Sequence, residues 1–176
     1  MTSGAPVRPT LAFMARHPAR WIALGFGSGL APKAPGTVGT LWAWAAFAVI
    51  APWMDDLRWA LLIGGGTLVG WWACTRCAQH MNTADPGSIV WDEVLAFWLI
   101  LWLIAPAGLL AQLIAFGLFR FFDAAKPGPV GWADRLFKGQ RGGHVSWGQG
   151  WGILFDDFVA AGCTLAVIAL YRFIMG

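Results

Sequence analysis

The stretch V-L-A-F-W-L-I-L-W-L-I-A-P-A-G-L-L-A-Q-L-I-A-F-G-L-F, residues 94–119, decides the fold. No charge interrupts it, and its only break is Pro106-Ala107-Gly108. One long kinked helix would fit a bilayer with some tilt. Two shorter helices around a Pro-Ala-Gly turn would fit as well. The flanking charges choose between them. Arg8, Arg16, Arg20, Lys33 and Arg76 precede the stretch; Arg120, Lys126, Arg135, Lys138 and Arg141 follow it. Lys and Arg collect on the cytoplasmic flanks of membrane helices, so both sets belong on one side and the stretch must turn back on itself. Each arm of such a hairpin has about 14–16 residues, roughly 21–24 Å. That is short for a span, and the polar ends must lie below the headgroups or be shielded by protein.

Composition agrees with a membrane setting. Of the 176 residues 58% are hydrophobic and 12% charged, against about 25% charged in soluble domains. The mean hydropathy is +0.60. A soluble globule of this size lacks the interior to hide so much apolar surface; disorder and a disulfide scaffold are excluded by the same figures. The expected fold is all-α, a polytopic membrane helix bundle. About five membrane helices are expected, from 34–54 (with its helix delayed by Pro35-Gly36 to about Thr37), 59–75, the short hairpin around Pro106–Gly108, and 158–171. The C-terminus then lies outside. Gly66 and Gly70 form a GxxxG spacing that lets another helix approach closely. Residues 1–33 form a basic N-terminal segment without a secretory h-region. It reads either as an interfacial helix, with Leu11, Phe13, Met14, Trp21, Ile22 and Leu24 between the arginines, or as a tail that fixes orientation. Residues 34–176 read as a single domain. Cys74 and Cys77 have redox spacing, but no second pair completes a zinc site, and they read as packed thiols. The thirteen tryptophans read as interface anchors and packing residues.

Nine acids occur, most of them in three short segments. Asp85-Pro86-Gly87-Ser88 is a turn, with Ser88 a candidate N-cap and Asp92 and Glu93 in the opening turn of the next helix. Arg120 and Asp123 share a helix face, and Lys126 ends that helix before Pro127. Asp156 and Asp157 stand at the entrance to the last apolar run. Singly, each acid reads as a cap or an ion-pair partner of Arg120, Lys126 or Arg135. As a set, brought to one face by the hairpin, the carboxylates would repel one another unless a cation neutralised them. Oxygen ligands without a matching His or Cys set favour Mg²⁺ or Mn²⁺ over zinc. A second constellation, G-F-G-S-G-L-A-P-K-A-P-G-T-V-G-T (25–40), offers backbone N–H groups, Lys33 and a helix start to an anion, without a Walker A spacing. Phosphate recognition follows from the two together. His17, His80 and His144 read as surface or interfacial side chains.

The blocks G-S-G-L-A-P-K-A-P-G-T-V-G-T (27–40), D-P-G-S-I-V-W-D-E (85–93), F-R-F-F-D-A-A-K-P-G-P (119–129), D-R (134–135) and D-D-F-V-A-A (156–161) resemble the phosphatidylglycerophosphatase A family, in the family's order and over most of 25–162. The resemblance implies an integral membrane lipid phosphatase of the bacterial inner membrane. With Mg²⁺ it would remove the terminal phosphate of phosphatidylglycerophosphate, on the cytoplasmic side. It points to Asp85, Asp92, Glu93, Asp123, Lys126, Asp156 and Asp157, with Lys33 in the Gly-rich block. It departs at 138–152, where the loop looks longer than the family's H-G-G-x-G and His144 follows the Gly pair, so the family histidine's role does not carry over to His144.

The resulting expectation is explicit. Asp92, Glu93, Asp123, Asp156 and Asp157 hold the metal; Asp92, Glu93, Asp123 and Asp156 carry the chemistry, with Asp92 and Asp123 the candidate general bases. Lys33, Arg120 and Lys126 hold phosphate. The partner is a phospholipid in the membrane, with no nucleic acid and no obligate protein partner. Two rivals remain: a proton- or cation-coupled transporter with acids strung across the bilayer, and a scaffold using its GxxxG and Trp-rich surfaces.

Overall fold

A computed structural model of the chain describes residues 7–137 and 145–175, and within them every regular element is helical. His144, with the rest of 138–144 in the 138–152 loop, lies outside the described residues. The α-helices are α1 (Leu11–Ala15), α2 (Pro18–Ala23), α3 (Pro35–Ile50), α4 (Asp56–Met81), α5 (Trp91–Ile104), α6 (Leu109–Ala125), α7 (Pro129–Phe137) and α8 (Trp147–Met175).

The 94–119 stretch folds as the hairpin expected from its flanks. Helix α5 stops at Ile104, the chain turns through Ala105–Gly108, and α6 runs back so that Arg120 near its end meets Glu93 at the start of α5. Most of α5 is buried, because α3, α4, α6 and α8 all pack against it. A helix apolar on every side is stable only when enclosed in this way. Gly66 and Gly70 on α4 serve the close approach that their spacing suggests. A Cβ at Gly70 would run into the Trp91 indole, whose Nε1 donates to the Gly66 carbonyl at 3.0 Å. Trp98 Nε1 likewise donates to Ala43 of α3 at 2.8 Å. Each such bond contributes about 1 kcal/mol net and fixes the register of two helices.

The boundaries differ from expectation at three places. Helix α3 starts at Pro35 itself, since proline suits the first helical position. Ser88 does not cap α5; Val90 precedes the helix, and its N–H is bound by the Ala23 carbonyl at 2.9 Å. Helix α8 starts at Trp147, so Asp156 and Asp157 lie well inside it rather than at its entrance. Residues 11–30 belong to the folded body: α2 packs on α4, burying Ala19, Ala23 and Leu24.

Among the described residues two segments, Pro35–Trp53 and Trp147–Met175, are long and apolar enough to cross a membrane, against the five membrane helices expected. Helices α5 and α6 have 14 and 17 residues, about 21 and 26 Å against a hydrocarbon core of about 30 Å. Helix α4 has the length, but Arg58, Arg76, Gln79 and His80 dilute its hydropathy. The outer surface is nonetheless apolar: Leu61, Leu68, Leu110 and Ile174 are each about two-thirds exposed or more.

Candidate active site

The start of α5 carries Asp92 and Glu93 because the loop before it is locked from two sides. The Val90 N–H is held by Ala23, and Gly29 packs so tightly on the Ser88 carbonyl that a Cβ there would overlap it. This is how the Gly-rich block is used. The Gly27 and Gly29 N–H groups both donate to the Leu24 carbonyl at 3.0 Å, so they are spent inside the block rather than offered to an anion. The start of α3 is pressed equally close to the acids. A Cβ at Gly36 would collide with Glu93 Oε1 and with the Arg120 guanidinium.

Asp92, Glu93 and Asp157 each bring a carboxylate oxygen within 4.8 Å of the other two. One oxygen of each (Asp92 Oδ1, Glu93 Oε2, Asp157 Oδ2) is buried without a hydrogen-bond partner. Asp123 borders the trio as a close electrostatic neighbour of Glu93 and Asp157. Among the described residues the one guanidinium that reaches the group is Arg120, whose Nη1 lies 2.5 Å from Asp123 Oδ2, 3.7 Å from Glu93 Oε1 and 3.5 Å from Thr40 Oγ1. Four carboxyls against one cation, largely out of water, are costly unless protons or a metal ion compensate them. Three orphan oxygens at mutual ligand distance, all hard donors, fit Mg²⁺, which is held through a few carboxylates plus substrate oxygens. Buried Cys74 on α4 lies within electrostatic range of the same three acids.

Asp156 does not join this trio. Consecutive residues can share one point, as Asp92 and Glu93 do, but Asp157 and its neighbour take different partners. Asp156 Oδ2 instead accepts a hydrogen bond from Lys126 Nζ, which also lies 2.5 Å from Asp134 Oδ1 on α7. Burial disfavours the ammonium, but the bonds to Asp134 and Asp156 more than offset this and raise its pKa above the ordinary lysine value. Lys126 is the left-handed C-cap of α6, with φ 46°, and the αL turn aims its side chain back under the helix end. Asp85 lines a small pocket here with Asp134, Gln149 and Asp156. Lys33 sits apart, exposed on the turn before α3, and forms no ion pair among the described residues.

The expected residues therefore divide into a carboxylate trio edged by Asp123 and Arg120, and a lysine-centred cluster of Lys126, Asp134 and Asp156. Asp134, Thr40 and Gly36 were not anticipated as site residues. Asp134 is visible in sequence only as part of the D-R block, because a left-handed turn rather than a helical repeat connects it to Lys126. The acids gather at one end of the α5–α6 hairpin beside the basic residues, and are not strung along the helices as a transport path would require.

The family profile for Phosphatidylglycerophosphatase A matches residues 21–172. A phosphatidylglycerophosphatase A from Escherichia coli (strain K12) is 34% identical over 157 residues, covering 86% of this chain and 82% of the relative. One from Haemophilus influenzae is 33% identical over 155 residues, 88% of each chain. A Bacteroides thetaiotaomicron protein provisionally named a phosphatidylinositol-3-phosphatase is 34% identical over 163 residues, 88% of this chain and 94% of its own. No solved structure matches the chain.

Proposed function

The chain belongs to the phosphatidylglycerophosphatase A family, and from that premise we propose that it hydrolyses the terminal phosphomonoester of phosphatidylglycerophosphate, with Mg²⁺, at the cytoplasmic face of the bacterial inner membrane. The observation that carries the metal dependence is the buried trio of unpartnered oxygens on Asp92, Glu93 and Asp157. These three residues would hold the ion, with Asp123 at their edge. Bound there, Mg²⁺ neutralises phosphoryl oxygens and lowers the pKa of a water.

The remaining work falls to the chain's own groups. Arg120, already tethered to Asp123 and Glu93, is positioned to share its guanidinium with a phosphate, a geometry suited to bidentate recognition. Lys126 supplies a second cation, held by Asp134 and Asp156 so that no ordering of a free side chain is needed on binding. Lys33, on its exposed turn, would meet the headgroup only as the substrate docks. Of the two candidate bases, Asp92 keeps an oxygen without a partner while Asp123 is engaged by Arg120 at 2.5 Å. That unpartnered oxygen is the one that would ligate the ion, so the proton from the attacking water would pass to the other Asp92 oxygen or to Asp123. Asp156 then acts through Lys126, as a positioning residue rather than a ligand.

Phosphate release from phosphatidylglycerophosphate, measured with Mg²⁺ and after chelation, tests the reading. Activity is expected to vanish on chelation and return with Mg²⁺, and Glu93→Gln should lower kcat by about 10²-fold or more. Equal rates before and after chelation would remove the metal from the proposal. Faster release from phosphatidylinositol 3-phosphate would reassign the substrate toward that named for the Bacteroides relative.

A further inference from the structure

Helix α3 rests on α5 but its backbone scarcely approaches α4 or α6, which leaves a seam on each side of it. The seam toward α4 is filled with rings: Phe26 stacks on Trp42 at 5.5 Å, Phe47 on Trp59 at 4.7 Å, and Trp98 sits against Trp42, Trp59 and Trp91. The seam toward α6 is different. Only side chains bridge it, at successive turns of the two antiparallel helices. Arg120 reaches Thr40, then Phe116 stacks on Trp44 at 5.8 Å, and Gln112 Oε1 accepts from Trp44 Nε1 at 2.6 Å. Outside these bridges lies an open trough lined by Leu41, Trp44, Ala45 and Ala48. All four belong to α3; across the bridges, the neighbouring exposed residues of α6 are Leu113, 48% exposed, and Gly117.

We propose that the α3–α6 trough holds an acyl chain of the lipid phosphomonoester, with Trp44 as its floor and Arg120 marking where headgroup gives way to chain. The proposal rests on the phosphatase reading and adds the route by which the lipid lies in the site. Its support is continuity: the same guanidinium that contacts Glu93 and Asp123 also reaches Thr40, the residue that precedes Leu41 of the trough. Beyond Thr40, the trough walls named above are apolar or small until Gln112. A phosphate seated at Arg120 would therefore lead its glycerol and chain directly onto Trp44, Ala45 and Ala48. The other seam offers no such space beside the acids.

The test compares purified protein acting on dioleoyl and dihexanoyl phosphatidylglycerophosphate. Ala48→Phe and Ala45→Phe fill the trough. Each is expected to raise KM for the dioleoyl substrate roughly tenfold or more relative to the dihexanoyl one, the scale of misfit in an apolar pocket. Leu68→Phe, which adds the same ring on the exposed face of α4 rather than on α3, should leave both unchanged. Equal losses on both substrates, or none on either, would overturn the proposal. A second readout needs no turnover: phosphatidic acid with a diazirine on its acyl chain, photolysed and mapped by mass spectrometry. Label concentrated in 41–48 and 109–117, and reduced by Ala48→Phe, supports the trough; label spread equally over the Leu61 and Leu68 face of α4 overturns it. If the wild type cleaves neither phospholipid, the phosphatase reading fails while the label map still decides the trough.

Discussion

Lys126 shows how one residue joins two otherwise separate parts of the site. It caps α6 in a left-handed conformation and binds Asp134 from α7 and Asp156 from α8. Removing its ammonium strands two carboxylates that are mostly out of water. Lys126→Ala is therefore expected to cost about 3 kcal/mol of stability and to weaken substrate binding, whereas Lys126→Arg keeps the charge and recovers most of the stability. Thermal melts in detergent and KM values check this, and an unaltered melt for Lys126→Ala would show the pair to be idle. Because its pKa is raised, the stability it contributes is present at neutral pH and is lost only above the ordinary lysine range. Alkaline loss of activity below that range must come from another group. The residue types at this site were legible in the sequence; their partition was not. Asp156 and Asp157 look equivalent as neighbours, and only the packing around α8 shows that one meets Lys126 and the other the Asp92–Glu93 pair.

At the scale of elements, the docking of α1 and α2 onto the end of α4 depends on histidines in the neutral form. His17 Nδ1 accepts from the Ala19 N–H at 3.1 Å, and His80 Nδ1 accepts from Arg20 Nε at 3.2 Å. Partial burial, then Arg20, His17 and Arg76, lower the His80 pKa from 6.5. A depressed histidine pKa means that the unfolded chain takes up the proton first, so the stability this contact contributes is present above pH 6.5 and lost as pH falls below it. The melting temperature is expected to drop between pH 7.5 and 5.5, and His80→Gln should flatten that dependence. A slope unchanged by the substitution would place its origin elsewhere. The N-terminal basic residues suggested an interface-bound or free segment from sequence. What composition could not show is that Arg20 is consumed by Phe13, whose ring it covers at 3.8 Å, and by His80. Periodicity located all the long helices, because uncharged runs of this length have few other solutions. It misjudged their ends, where Pro35, Val90 and Trp147 act through backbone bonds and packing.

For the whole molecule, the hairpin settles which ends lie together. Pro129, beyond α6, and Pro106, in the hairpin turn, are both exposed and lie at opposite ends of α6. If the acids face the cytoplasm, single cysteines at Pro129 and Pro106 should react with an impermeant maleimide from opposite sides of the membrane, Pro129→Cys from the cytoplasmic one. Labelling of both from one side would show that the α5–α6 hairpin does not traverse. Cys74 and Cys77 are buried but Cys163 is only half-buried, so the labelling is read in a Cys163→Ser background. The flanking charges made the hairpin legible, since only a reversal puts both basic clusters together. The number of helices able to cross unaided was not legible, because enclosure by neighbours lets α5 be short. That enclosure also sets an order of biogenesis. Helix α8 supplies Asp157 and one wall around α5, and it leaves the ribosome after the helices that carry the other acids. A nascent chain stalled before α8 would carry the acids of α5 and α6 without the means to use them. Hydrolysis is thereby withheld until the bundle has closed.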